Sequence, residues 1–148
     1  MIRLETSLGQ GIDNHQGDTL SAFHLNWSKT IGKSYPLATK RTDVSPRYNC
    51  HGLTFANHRT RIEKRSGIER ILADDGYKEV DIKSLLAGDI VIYFSDEGDP
   101  NHSGIVVDGS SLAPVICSKW GCAGEFIHTL RYCPPIYGPQ VKFFRCER

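Results

Sequence analysis

The stretch Gly88-Asp89-Ile90-Val91-Ile92-Tyr93-Phe94, followed after a loop by His102-Ser103-Gly104-Ile105-Val106-Val107-Asp108, decides the fold. Both runs are dominated by β-branched and aromatic side chains, which fit a pleated, buried surface. Gly88-Asp89 supplies a turn before the first run. Asp96-Glu97-Gly98-Asp99-Pro100-Asn101, between the runs, consists of turn formers. Two buried strands joined by a short polar loop are therefore expected.

Downstream, residues 114–120, 124–130 and 141–146 have the same character and predict three further strands. Upstream the period changes. In Asn49-Cys50-His51-Gly52-Leu53-Thr54-Phe55-Ala56-Asn57-His58-Arg59, Asn49 is a good N-cap, and Leu53, Phe55 and Ala56 form a short apolar stripe. This predicts a helix with Cys50 in its first turn. A second helix is expected over residues 66–74. Ser66 and Glu69 have capping-box spacing, Ile68, Ile71 and Leu72 form a buried face, and Gly76 is the stop. Residues 1–45 are rich in turn formers and read as an irregular arm, with only residues 20–31 able to form a short helix or strand. Helices followed by a run of antiparallel strands define an α+β fold. A chain of 148 residues suits one domain, 1–148, with the arm at 1–45 and the core at 46–148.

A net charge of +1 gives no general attraction to nucleic acid. The basic stretch Arg59, Arg61, Lys64 and Arg65 is interrupted by Glu63 and reads as a solvated helix face. No apolar run approaches the roughly 20 residues of a membrane span. Residues 1–10 lack the apolar core of a secretory signal. The expected location is the cytoplasm, or outside by a signal-independent route.

The five cysteines, Cys50, Cys117, Cys122, Cys133 and Cys146, are odd in number, which argues against a fully paired disulfide framework. Cys50 stands far upstream of the other four. A thiol in the first turn of a helix meets unpaired N–H groups and the positive end of the helix dipole, both of which favour the nucleophilic thiolate. It then needs a base. His51 is adjacent and points about 100° away around the helix, as 3.6 residues per turn dictates. His102 opens a strand after the loop, where it would be held still at the sheet edge. Cys50 and His102 are therefore the candidate catalytic pair. A third group would orient the imidazole. Two candidates supply a hydrogen-bond acceptor, His128 first and Ser118 as the alternative, whereas Lys119 cannot accept. The backbone N–H of Cys50 is one expected oxyanion donor; the second, and the substrate-binding residues, are not identified by the sequence. Thiol chemistry needs neither metal nor cofactor.

The Gly-Asp strand, loop and His-x-Gly strand, behind a helix-start Cys, resemble the core of the NlpC-like and CHAP branches of the papain-like cysteine peptidase superfamily. Phe126-Ile127-His128 resembles the third-residue strand of the NlpC-like enzymes. Ser118-Lys119-Trp120-Gly121, His128, Tyr137-Gly138 and Phe143-Phe144-Arg145 look similar to a little-characterised bacterial papain-like family whose helix starts with Asn-Cys. The resemblance covers about residues 48–146. It implies a papain-like fold and a Cys-His-polar triad that cleaves an amide through an acyl-enzyme. The implied substrate is a peptide or peptidoglycan peptide, cut by an amidase or endopeptidase, or by a toxin or effector domain.

Two rival readings come from other classes. One is a non-catalytic binding module that keeps the papain-like fold. The other is a small zinc-binding domain using Cys117, Cys122, His128 and Cys133, although the spacings are wider than zinc ligand pairs usually show.

Overall fold

The computed structural model of the chain describes residues 1–110 and 112–147. It is an α+β domain built on one antiparallel sheet. The elements, in chain order, are α1 (Ala22–Ser34), β1 (Thr39–Lys40), α2 (Cys50–Ala56), α3 (Arg65–Asp74), β2 (Tyr77–Val80), β3 (Ile90–Phe94), β4 (Pro100–Asp108), β5 (Val115–Lys119), β6 (Glu125–Thr129) and β7 (Gln140–Cys146). The sheet order is β1-β6-β5-β4-β3-β7-β2. The two stretches that decide the fold become β3 and β4 at its centre, paired Ile90↔Ile105 through Tyr93↔His102.

Side chains alternate across a strand, so the sheet has two differently covered faces. On one face, Val91, Tyr93, Val106, Ile116, Trp120, Phe126, Leu130 and Phe143 form a cluster with Ile31 of α1. On the other, Ile92 packs with Ala56 of α2, Ile68 and Ile71 of α3, and Ile12 and Ile62. The helices thus cover both faces, with α1 opposite α2 and α3.

The arm is more ordered than its composition predicts. Ser21 and His24 make a reciprocal capping box at the start of α1, and β1 extends the sheet by pairing Thr39↔Ile127. The expected capping box at Ser66 does not form. Helix α3 begins one residue earlier, at Arg65, with Lys64 as an N-cap that makes no side-chain bond. Arg65 instead ties the helix start to Glu69 and Asp99. Asp75 is the C-cap and Gly76 takes up φ +74°, the left-handed conformation that glycine adopts without penalty. No helix among the described residues is long and apolar enough to cross a membrane.

Candidate active site

Helix α2 is short, and its position is set by Asn49. The Asn49 side chain accepts from Gly52 N at 2.9 Å and from Ile62 N at 3.1 Å, while its Nδ2 donates to Ile62 O at 2.9 Å. One side chain therefore caps the helix and bolts it to the strand-like segment at Ile62. Gly52 allows the close approach, because a Cβ there would lie 1.8 Å from Thr60 O. Asn49→Ala should destabilise the protein by about 2–3 kcal/mol, combining a lost cap with two lost bonds to backbone. Urea denaturation measures this, and a loss below roughly 0.5 kcal/mol would show that the bolt is not needed.

His51, next to Cys50, is a latch between α2 and β4. Its Nε2 lies 2.7 Å from Pro100 O and its Nδ1 2.8 Å from Ser103 Oγ. A carbonyl only accepts, so Nε2 carries the proton; Nδ1 lies against Ser103 Oγ, whose hydroxyl donates to Thr54 Oγ1 at 2.8 Å. Burial lowers the His51 pKa to about 4, with the bond to Pro100 opposing. The ring is neutral, enclosed between Pro100 O and Ser103 Oγ, and unavailable as a base, in keeping with its adjacency to Cys50.

The Cys50 thiol is buried and free of any disulfide. Burial pushes its pKa up to about 11, against the backbone N–H groups of Ser103 and His51 and the charge of Lys119. The β4–β5 ladder begins at Ile105↔Cys117, so the first residues of β4 lie outside that ladder, where Ser103 N–H meets the thiol. At rest Cys50 is a protonated thiol in a cradle of N–H groups. The helix-start position by itself predicts a thiolate; desolvation outweighs it.

His102 lies one residue before Ser103 and faces the other side of the sheet. Its ring is 5.3 Å from Tyr93 and stacks on Tyr137 at 3.7 Å with an interplanar angle of 5°. It is 1% exposed, and Nε2 is buried without a hydrogen-bond partner. Burial drives its pKa well below the ordinary imidazole value, helped by repulsion from His51 and His128. The thiol thus meets the Ser103 N–H, one residue along β4 from His102. No hydrogen bond joins thiol and imidazole among the described residues.

The two candidates for the third member meet each other. Ser118 Oγ and His128 Nε2 are 2.7 Å apart, Trp120 Nε1 donates to Ser118 Oγ at 3.0 Å, and His128 Nδ1 lies 2.8 Å from Thr129 O. Because Thr129 O only accepts, Nδ1 carries the His128 proton and Nε2 accepts from Ser118. Neither residue bonds His102, whose plane is held by the Tyr137 ring instead.

Lys119 has a role the sequence did not reveal. It is fully buried and uses all three donors, on Ser45 O (2.8 Å), Tyr48 O (2.9 Å) and Gly121 O (2.6 Å). It also lies over the Tyr48 ring at 4.5 Å. It thereby fixes the segment leading into Cys50 and brings a positive charge toward the thiol. Burial lowers its own pKa to about 8. A lysine inside a strand usually reads as solvent-facing, so only the three converging carbonyls could have marked it.

The four residues of the zinc reading are dispersed. Cys117 packs with Tyr48 and Leu53 on the α2 face, whereas Cys133 lies in the cluster on the opposite face. Among the described residues no group of three or more His, Cys, Asp or Glu side chains could hold a metal. No protein-family model, curated protein or solved structure matches the chain.

Proposed function

We propose that the chain is a papain-like cysteine hydrolase that cleaves an amide bond, with Cys50 as nucleophile and His102 as base. The single observation that carries this reading is the buried, unpartnered Nε2 of His102, beside the part of β4 that meets the thiol. Buried polar atoms in folded proteins are almost always bonded. An imidazole kept neutral with a bare ring nitrogen is equipped to take a proton.

The pair acts from a neutral resting state. As substrate enters, His102 takes the thiol proton and the sulfur adds to the carbonyl carbon. The tetrahedral intermediate collapses, the C–N bond breaks, and the imidazolium gives its proton to the departing amine. Water, deprotonated by His102, then hydrolyses the acyl-enzyme and restores the thiol. The Ser103 and His51 N–H groups, with Lys119, stabilise the transient thiolate. A cleft lined by Tyr93, Arg131, Cys133, Pro134, Gly138 and Pro139 lies on the His102 side of the sheet and offers the substrate an approach.

The substrate class follows the sequence resemblance: a peptidoglycan peptide, or a protein cut by a toxin or effector domain. The test is to incubate the protein with purified peptidoglycan and, separately, with a protein extract, and to map new amino groups by mass spectrometry. Cleavage that disappears in Cys50→Ala supports the reading. Absence of both cleavage and acyl-Cys50 would sink it. Ser118→Ala and His128→Ala should each slow cleavage less than His102→Ala does, because neither residue bonds the imidazole. A loss for Ser118→Ala larger than for His128→Ala would give the positioning role to Ser118.

A further inference from the structure

We propose that the Tyr137 hydroxyl is the second oxyanion donor of the Cys50 site, holding the substrate carbonyl oxygen while sulfur adds to its carbon. The inference rests on the reading of Cys50 as a nucleophile and adds a residue to it. Tyr137 Oη is buried and has no hydrogen-bond partner. An unsatisfied buried hydroxyl costs about 1–3 kcal/mol. The buried tyrosines elsewhere avoid that cost, as Tyr48 donates to Glu125 and Tyr93 to Leu130 O. Tyr137 and His102 are the two residues with such orphan atoms among the described residues, and their rings are stacked on one another.

The Tyr137 ring is also held firmly. It ends a single helical turn, Pro135–Tyr137, whose flanks Pro134 and Gly138 restrict and then reverse the chain. Gly138 has φ +122°, and a Cβ there would lie 2.2 Å from Phe94 O, so the turn is pressed against the end of β3. The ring stacks on His102, one residue along β4 from Ser103, whose N–H meets the thiol. Burial raises the phenol pKa, and a Cys50 thiolate would add to the rise. The phenol therefore stays protonated throughout the working range and remains a donor.

The electron balance is simple. The S–C bond forms, the carbonyl π pair moves onto oxygen, and the O–H of Tyr137 and the N–H of Cys50 share the resulting charge without transferring a proton. When the oxyanion collapses, the pair returns to the carbonyl and the leaving group departs.

Acylation of Cys50 by p-nitrophenyl acetate passes through an oxyanion, whereas alkylation by iodoacetamide does not. Both are followed on the Cys50 peptide by mass spectrometry, which separates it from the exposed Cys146. Tyr137→Phe keeps the ring and removes the donor. It should slow acylation by roughly 10²- to 10³-fold and leave alkylation within about twofold, with no fall in the thermal midpoint, since no hydrogen bond is lost. An unchanged ratio of acylation to alkylation overturns the proposal, as does equal slowing of both reactions, which would make Tyr137 a positioning residue for His102. If Tyr137→Phe does not fold, 3-fluorotyrosine at position 137 replaces it. This stronger donor of similar size should change acylation alone, and unchanged acylation overturns the proposal. A wild-type Cys50 inert to both reagents overturns the nucleophile reading itself, which separates that failure from the failure of Tyr137.

Discussion

Cys50→Ala is expected to yield a folded protein whose amide hydrolysis has fallen by roughly 10⁴- to 10⁶-fold, the range seen when a nucleophile is removed from a unit that acts together. The competing view makes Cys50 a small apolar plug. Its surroundings oppose that view, because Cys50 is buried yet belongs to none of the three hydrophobic clusters, and its thiol faces N–H groups and the Lys119 charge. Replacing one sulfur by hydrogen should cost about 1 kcal/mol, visible as a small shift in a urea melt. Loss of the folded state in Cys50→Ala would return Cys50 to the core. His102→Ala should lower the rate by roughly 10²- to 10⁴-fold, and added imidazole should restore part of it by entering the space under Tyr137. The pH profile gives an independent check. His102 must be neutral to accept a proton, and its pKa lies well below the ordinary value. Activity should therefore persist as pH falls below about 6.5, the free imidazole value, and fail only in stronger acid. An acid limb centred near or above 6.5 would show that another group is the base.

The sequence made the centre of this molecule legible and left its margins dark, for physical reasons. Strands β3 and β4 announce themselves because both faces of the sheet are buried there, so their apolar runs are nearly continuous. Helix α2 is readable because one residue, Asn49, carries its start. Strand β1 has two exposed residues and owes its existence to β6; nothing local encodes it. Strand β2, at the opposite edge, is polar at Lys78 and Glu79 and offers little β signal. The candidate pair was nameable since a Cys at a helix start and a His near the start of a strand, two residues into β4, are local features. Lys119 and Tyr137 were not, because their significance lies in what surrounds them: three carbonyls contributed by two separate segments for one, and a buried hydroxyl without a hydrogen-bond partner for the other. The third member stayed open for a related reason. Ser118 and His128 both face the His102 side of the sheet, and only the folded structure shows that they satisfy each other.

The neutral histidines that equip the site should also make the protein acid-labile. His51, His102 and His128 are all buried, and burial lowers the pKa of each. For His51 the folded value is about 4, against about 6.5 in an unfolded chain. Between these values the unfolded state binds more protons than the folded one, so stability rises with pH. Their contribution is fully present above pH 6.5 and is lost as pH falls toward the folded values. A shift from about 6.5 to about 4 corresponds to about 3 kcal/mol for His51 alone, a large share of the 5–15 kcal/mol that typically separates folded from unfolded states. His102 and His128 add to it in the same direction. Protonating His51 would also place a charge on a ring buried between α2 and the start of β4, so the site should loosen before the rest of the sheet. The measurement is urea stability at pH 7.5, 6.5, 5.5 and 4.5, with hydrogen exchange followed on the same samples. Stability should fall steeply below pH 6.5, with amides of α2 and the start of β4 losing protection first. A flat profile from pH 6.5 to 4.5 would mean that these rings are not neutral and buried, and the base assigned to His102 would fall with them.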